Sequence, residues 1–103
     1  MQDYKLEILV PAWVELEEIA EYHLLMVGPV SAKNITDHIL LSLERLKTYP
    51  LSGAVVLDSE LNALGYRYVI SDKYVCIYRV IGDTVFVYHI VHGSRDYPGL
   101  FKL

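Results

Sequence analysis

Five side chains with catalytic potential lie close together near the end of the chain. The stretch "VFVYHIVHGSRDYPGLF", residues 85–101, ends a strand-forming run with His92, Ser94, Arg95, Asp96 and Tyr97. Histidine, serine and aspartate carry out nucleophilic hydrolysis, whereas histidine, arginine and tyrosine suit acid–base cleavage of RNA. A triad needs convergent geometry that alternating loop residues do not supply, so Ser94 and Asp96 are interpreted as turn-forming residues.

Cleavage of RNA needs cations beside the scissile phosphate and a group that removes the proton of the 2′-hydroxyl. Four cations lie in or beside the last three predicted strands: Arg67, Lys73, Arg79 and Arg95. In such an enzyme His92 or Tyr97 would transfer the proton. The alternative interpretation places the arginines at sheet edges, paired with Asp72, Asp83 or Asp96.

The sequence predicts neither a metal site nor a cofactor. His89 and His92 fall on opposite faces of a regular strand, so they cannot readily chelate one ion. His23 and His38 have no second ligand at i+4, and no glycine-rich phosphate loop is present. The single cysteine, Cys76, excludes an internal disulfide and lies in an apolar run, which predicts a small buried hydrophobe.

Composition predicts one globular domain that spans residues 1–103. Hydrophobic residues make up 53% of the chain and charged residues 21%, which is enough apolar surface for a packed core. The net charge of −4 means that nucleic-acid binding would need a local basic patch. Neither a signal peptide nor an apolar run of about 18 residues is present, so we expect a cytoplasmic protein without a membrane partner.

One strand and two helices are predicted for the first half of the chain. The segment "YKLEILV" alternates apolar and polar residues with period 2, which indicates a half-buried strand. Pro11 suits the first turn of a helix, and Gly28–Pro29 ends that helix and begins a second one, which runs to about Tyr49. The predicted inner stripes are Trp13, Leu16, Ala20, Leu24 and Val27, then Ala32, Ile35, Ile39, Leu43 and Leu46.

The second half is predicted as a loop over residues 51–63 and three antiparallel strands. Gly82–Asp83 between two apolar runs is a strong two-residue hairpin signal. A two-residue loop would pair Arg79 with Phe86 and Lys73 with His92. The order strand, helix, helix and three strands predicts an α+β domain, with a helical hairpin packed on a small antiparallel sheet.

Three apolar residues fall outside the predicted inner stripes: Leu25, Met26 and Leu41. Single exposed apolar residues are common on protein surfaces. Grouped together they would form a patch on which a partner protein docks. Both interpretations are compatible with the sequence.

The layout and three motifs resemble the RelE/ParE superfamily of bacterial type II toxin–antitoxin toxins. The motifs are Gly65-Tyr66-Arg67, Ile77-Tyr78-Arg79 and the segment His92–Tyr97, and the resemblance spans essentially the whole chain. It implies a small toxin that an antitoxin neutralises by laying a segment over its sheet and helices. The complex would contact operator DNA only through the antitoxin.

The superfamily contains RelE-like toxins, which cut mRNA in the ribosome, and ParE-like toxins, which poison DNA gyrase. Carried onto this chain, the RelE catalytic pattern falls on Arg67, Val69, Val75, Arg95 and Phe101. Two of its four cations are therefore kept and its tyrosine is lost, with Tyr97 as a possible substitute. The ending "HGSRDYPGLF" is more similar to ParE-like toxins.

The resemblance therefore implies three functions. The first is a ParE-like toxin that binds a target such as DNA gyrase, with Arg67, Lys73, Arg79 and Arg95 on the target-binding surface and Leu25, Met26 and Leu41 on the antitoxin-binding surface. The second is a ribosome-dependent mRNA endonuclease that uses Arg67, Arg95, Tyr97 and His92. The third is a degenerate toxin that is kept as an antitoxin-binding regulatory module.

Overall fold

A computed structural model describes residues 3–101 of the chain. It contains five strands, three α-helices and two 3₁₀ helices. In chain order these are β1 (Lys5–Ile8), α1 (Val10–Met26), α2 (Pro29–Glu44), a 3₁₀ turn (Arg45–Lys47), β2 (Ala54–Val55), α3 (Ser59–Ala63), β3 (Arg67–Ser71), β4 (Tyr74–Ile81), β5 (Thr84–His92) and a second 3₁₀ helix (Tyr97–Phe101).

The strands form one sheet in the order β1-β5-β4-β3-β2. All neighbours are antiparallel except β1 and β5, which run parallel from Lys5↔Thr84 to Ile8↔Val87. The predicted α+β fold is confirmed. The sheet differs from the prediction in this parallel edge, which arises because the two helices carry the chain back across one face before β5 is added.

The helical hairpin covers one face of the sheet and buries the main core. On α2 the predicted stripe is confirmed, with Ile35, Ile39 and Leu43 buried, and Leu46 follows in the 3₁₀ turn. On α1 the prediction was largely wrong. The buried residues are Ala12, Leu16 and Ile19, whereas the predicted residues Trp13, Leu24 and Val27 are exposed. Apolar residues occur on every side of α1, including between its four glutamates, so the apolar pattern alone did not determine its inner face.

Residues 51–63 are not the continuous loop that was predicted. The two-residue strand β2 pairs with β3 through Ala54↔Tyr68 and Val55↔Arg67. The five-residue helix α3 is capped by Asp58, whose Oδ1 accepts from the Leu61 N–H at 3.0 Å. Both elements are too short to produce a measurable periodicity in the sequence.

The β4–β5 hairpin follows the predicted register near its turn and departs from it further on. Ile81↔Thr84, across Gly82–Asp83, and Arg79↔Phe86 are as predicted. A bulge then shifts the pairing between Ile77 and Tyr78, and His92 pairs with Tyr74 instead of Lys73. One extra residue in one strand changes which residues lie opposite each other along the rest of the hairpin. The sequence of the turn does not predict this bulge.

The outer face of the sheet is covered as well. Val75, Ile77 and Val91 pack there with Val56, Leu61 and Tyr66. The C-terminal 3₁₀ helix contributes Tyr97, Leu100 and Phe101 to this second cluster. Both faces of the strands are therefore buried, which explains why β4 and β5 read as nearly continuous apolar runs.

Cys76 is fully buried at the centre of β4, as its apolar surroundings predicted. Burial raises the pKa of its thiol to about 12, so the reactive thiolate is scarce at neutral pH. Within residues 3–101, no helix is both long enough and apolar enough to cross a membrane.

Candidate functional site

A cleft lies between α1 and the ends of β4 and β5. Its volume is about 600 Å³, which is within the usual range for ligand and peptide pockets. We call it the α1 cleft. Its lining residues are Glu15, Glu18, Ile19, Tyr22, His23, Ile35, Asp72, Lys73, Tyr74, Ile90, Val91, His92 and Arg95. The cleft therefore combines an apolar floor with aromatic, cationic and acidic groups on its walls.

Hydrogen bonds tie one wall of the cleft to the sheet. His23 Nε2 lies 3.0 Å from the Tyr74 hydroxyl, and His23 Nδ1 lies 3.0 Å from Ser31 Oγ. Burial is the main cause of the raised pKa of Tyr74, to which Tyr22 and Asp72 also contribute. The Tyr74 hydroxyl thus stays protonated and can donate to His23, which fixes the position of α1 over β4.

His92 is held by hydrogen bonds to the turn that follows β5. Its Nδ1 accepts from the Ser94 N–H at 3.1 Å and lies 2.8 Å from Ser94 Oγ. An N–H can donate only to an unprotonated ring nitrogen, so Nδ1 is the acceptor in this contact. The turn-forming interpretation of Ser94 agrees with this geometry, because Ser94 bonds to a residue two positions before it.

Two of the predicted cations are brought together at the open end of the cleft. The Gly93 N–H donates to the Lys73 carbonyl at 2.9 Å, so the turn at Lys73 lies beside the turn that carries Arg95. Both side chains line the cleft. Neither forms an ion pair within the part of the chain that the structure describes. Asp83, one of the expected arginine partners, instead pairs with Lys5 at 3.5 Å.

The other two predicted cations lie outside the cleft and on opposite faces of the sheet. Arg67 Nη1 donates to the carbonyls of Leu51 and Gly53, at 3.2 and 2.8 Å. Arg79 lies on the outer face, 4.7 Å from the ring centroid of Tyr66, and donates to the Tyr88 hydroxyl at 2.9 Å. Arg67 supports a loop and Arg79 is packed among aromatic rings, so the four cations do not form one surface.

The remaining predicted site residues are also separated from one another. Tyr97 packs with the outer-face cluster instead of facing His92 across the cleft. Leu25 and Met26 are exposed at the end of α1. Leu41 is exposed on α2, about 18 Å from the start of that helix at ~1.5 Å per residue, so it does not join them in one patch.

Sequence reasoning missed Glu15, which lies at the edge of the cleft. Strand β1 pairs with β5 only as far as Val87. Beyond that point, the Glu15 carboxylate is the hydrogen-bond partner of β5. Its Oε1 accepts from the Ile90 N–H at 3.1 Å and lies 3.0 Å from His89 Nδ1. The carboxylate thereby satisfies a strand edge that would otherwise be left without partners.

We expect Glu15→Ala to lower the free energy of unfolding by about 2 kcal/mol, because it leaves the Ile90 N–H and the His89 ring N–H unpaired in a largely buried place. Urea denaturation followed by circular dichroism measures the change. Glu17→Ala, on the exposed side of the same helix, is the matched control and should shift stability by less than about 0.5 kcal/mol. Equal stability of the two variants would contradict the strand-edge role of Glu15.

Among residues 3–101, no three His, Cys, Asp or Glu side chains lie close enough together to hold a metal ion. The cleft therefore holds two cations without ion-pair partners in the described part of the chain, two imidazoles, two tyrosines and three carboxylates over an apolar floor. Its two cations can bind a carboxylate or phosphate beside an apolar group.

The architecture that places these side chains is a helical hairpin packed on one face of a mostly antiparallel sheet, with a cleft beside α1. Residues 6–97 match the family described as the ParE toxin of the type II toxin-antitoxin system, parDE. The chain belongs to this family, and the resemblance to the RelE/ParE superfamily, with the ParE-like branch preferred, is confirmed.

Solved structures from both branches share the fold. The structure titled "Chromosomal ParDE TA system from P. aeruginosa" matches with a TM-score of 0.74 and 17% identity, covering 86% of this chain and 95% of its own. The RelBE2 toxin-antitoxin complex from Mycobacterium tuberculosis matches with a TM-score of 0.64 and 19% identity, covering 87% and 98%. Comparison with curated proteins gives no significant sequence match.

Proposed function

We propose that this type II toxin is neutralised by a cognate antitoxin and acts by binding a macromolecular target such as DNA gyrase. The observation that carries the proposal is the grouping of Lys73, His92 and Arg95 in the α1 cleft, with both cations free of carboxylate partners. Exposed, unpaired cations beside an apolar floor are suited to recognition of a protein or nucleoprotein surface.

The positions of the RelE catalytic pattern support recognition over catalysis. Arg67 is engaged by two carbonyls, and Val69 packs against the main core. Val75 and Phe101 belong to the outer-face cluster. Of this pattern, only Arg95 reaches the cleft, so a phosphate bound there would lack the set of cations that stabilises a cleavage transition state.

A ribosome-dependent mRNA endonuclease is the second candidate, and one observation favours it. His92 and Arg95 line the same cleft, and the Nε2 of His92 is the nitrogen that is not used by Ser94. An imidazole and a guanidinium are a minimal pair for proton transfer beside a phosphate.

The antitoxin is proposed to cover the exposed apolar end of α1. Leu25 and Met26 are 74% and 69% exposed there, and an amphipathic helix or an extended segment would bury them. The P. aeruginosa relative is titled a ParDE TA system, and the M. tuberculosis relative is titled a toxin-antitoxin complex. Contact with operator DNA would be made by the antitoxin, because this chain carries a net charge of −4.

Induction of the protein in a sensitive host, with RNA cut sites and plasmid topology measured in the same cultures, tests the proposal. We expect growth arrest with intact messages and with broken or relaxed plasmid DNA. Cuts at ribosomal A sites would replace this proposal with the endonuclease. Normal growth at a verified level of folded protein would support a degenerate module and would contradict both toxic functions.

A further inference from the structure

Tyr74 lies between helix α1 and the two turns that carry the cations of the α1 cleft. It begins β4, directly after Lys73, and it pairs with His92 at the end of β5. Its side chain is only 8% exposed, whereas Lys73, His92 and Arg95 are exposed. Tyr74 therefore has little surface with which to touch a bound target directly.

The hydroxyl of Tyr74 is held by the helical hairpin. It lies 3.0 Å from His23 Nε2, and His23 Nδ1 lies 3.0 Å from Ser31 Oγ. His23 belongs to α1, and Ser31 lies in the first turn of α2. Rotation of the His23 ring would break these contacts, because each ring nitrogen has its own partner. Both helices thus hold the Tyr74 ring in one place.

The ring of Tyr74 in turn meets the ring of His92. The two centroids are 5.8 Å apart and the ring planes stand at 85°, which is the edge-to-face arrangement that aromatic pairs favour. Residues 92–95, which we call the Arg95 turn, are closed by the Arg95 N–H, which donates to the His92 carbonyl at 3.0 Å. A backbone hydrogen bond of 2.9 Å joins this turn to the Lys73 carbonyl. A displacement of Tyr74 would therefore reach both cations.

We propose that Tyr74, held by His23, is a positioning residue that fixes the placement of Lys73 and Arg95 relative to each other. This inference rests on the proposed function, in which these two cations contact the target. Long exposed side chains lose conformational freedom when they bind, so recognition is stronger when the backbone beneath them is already ordered. The His23–Tyr74 contact orders that backbone where β4 begins and β5 ends.

Tyr74→Phe tests the inference because it removes the hydroxyl and keeps the ring. We expect the level of folded protein needed for half-maximal growth arrest to rise about fivefold, the factor that one hydrogen bond contributes to such an equilibrium. Tyr49→Phe is the matched control, since Tyr49 is 64% exposed and does not line the α1 cleft. It should arrest growth at the same level as the wild-type protein.

Two variants of His23 separate the hydrogen bond from the packing of the imidazole. His23→Leu removes both contacts of the ring, whereas the amide of His23→Gln keeps a donor and an acceptor for the Tyr74 hydroxyl. We expect His23→Gln to be more toxic than His23→Leu at equal protein level. Adding Tyr74→Phe to His23→Leu should cause no further loss of toxicity, because both changes break the same contact.

The ¹H NMR signal of the His92 ring reports the placement of the Arg95 turn directly. It should shift in His23→Leu, in which the Tyr74 ring that lies against His92 is chemically unchanged. A contact between His23 and Tyr74 that only stabilised the fold would lower the melting temperature and leave the folded-state signal of His92 in place.

Two results would overturn the inference while leaving the proposed function intact. The first is equal toxicity of Tyr74→Phe and Tyr49→Phe at equal protein level. The second is a His92 signal that is the same in His23→Leu and in the wild-type protein. If the wild-type protein does not arrest growth, the proposed function fails, and the His92 signal alone then decides whether Tyr74 positions the turn.

Discussion

Replacement of Gly53 by alanine should destabilise the protein more than any other single methyl addition to its loops. A Cβ at this position would lie 2.5 Å from the Tyr78 hydroxyl and 2.7 Å from the Tyr68 carbonyl oxygen. Tyr78 is fully buried, and its hydroxyl donates to the Pro50 carbonyl and accepts from the Gly53 N–H. The methyl group must displace these partners, and both hydrogen bonds are then lost.

We expect Gly53→Ala to lower the free energy of unfolding by about 3 kcal/mol, from overpacking together with the loss of buried hydrogen bonds. For a domain of this size the melting temperature should fall by roughly 10 °C or more. Thermal unfolding followed by circular dichroism measures both quantities.

Gly99→Ala is the matched control for this prediction. Its new Cβ would meet nothing closer than the Asp96 carboxylate, at 3.7 Å. The substitution should be neutral, or stabilising by up to about 1 kcal/mol, because alanine reduces the entropy of the unfolded chain. Equal melting temperatures for Gly53→Ala and Gly99→Ala would contradict the prediction, because the loop at Gly53 would then accommodate the methyl group without a loss of stability.

The second large effect concerns toxicity. We expect Arg95→Ala to abolish growth arrest at moderate induction, because an arginine at the centre of a recognition site contributes 2 kcal/mol or more, which is about 30-fold in affinity. The Arg95 side chain is exposed, and the structure gives it no internal partner within residues 3–101. Stability should therefore be unchanged. Colony counts after induction, with protein levels from the same cultures, measure the effect.

Arg45→Ala provides the comparison, because it removes the same charge from another part of the surface. It should leave toxicity at the wild-type level. If Arg95→Ala arrests growth as strongly as the wild-type protein does, the α1 cleft is not the target-binding site.

Much of the fold was predictable because it depends on local patterns. The Ile35, Ile39 and Leu43 stripe of α2 has polar residues on its other side, so its inner face was determined. The Gly82–Asp83 turn was likewise predictable from two residues. The inner face of α1 and the bulge beside Ile77 were not predictable. Apolar residues occur on every side of α1, even between its glutamates, and the bulge depends on packing between strands.

The candidate site residues were predictable only where one segment carried them. His92 and Arg95 come from one segment, and the sequence named both as candidates. Their neighbours in the cleft come from remote elements: His23 from α1 and Tyr74 from β4. Arg67 and Arg79 were grouped with Arg95 because they share a charge, but strand alternation directs them to opposite faces: Arg67 pairs with Tyr78, the neighbour of Arg79. The sequence shows which side chains are charged, whereas the tertiary structure determines the direction in which each of them points.

The parallel pairing of β1 with β5 also determines when the fold can be completed during synthesis of the chain. The first strand of the sheet has no partner until the last strand has been made, and Glu15 meets His89 across 74 positions of sequence. Contacts of such long range slow folding and cannot form on a partly synthesised chain. The α1 cleft is completed by β5 and the turn after it, so a partly synthesised chain does not present the complete cleft.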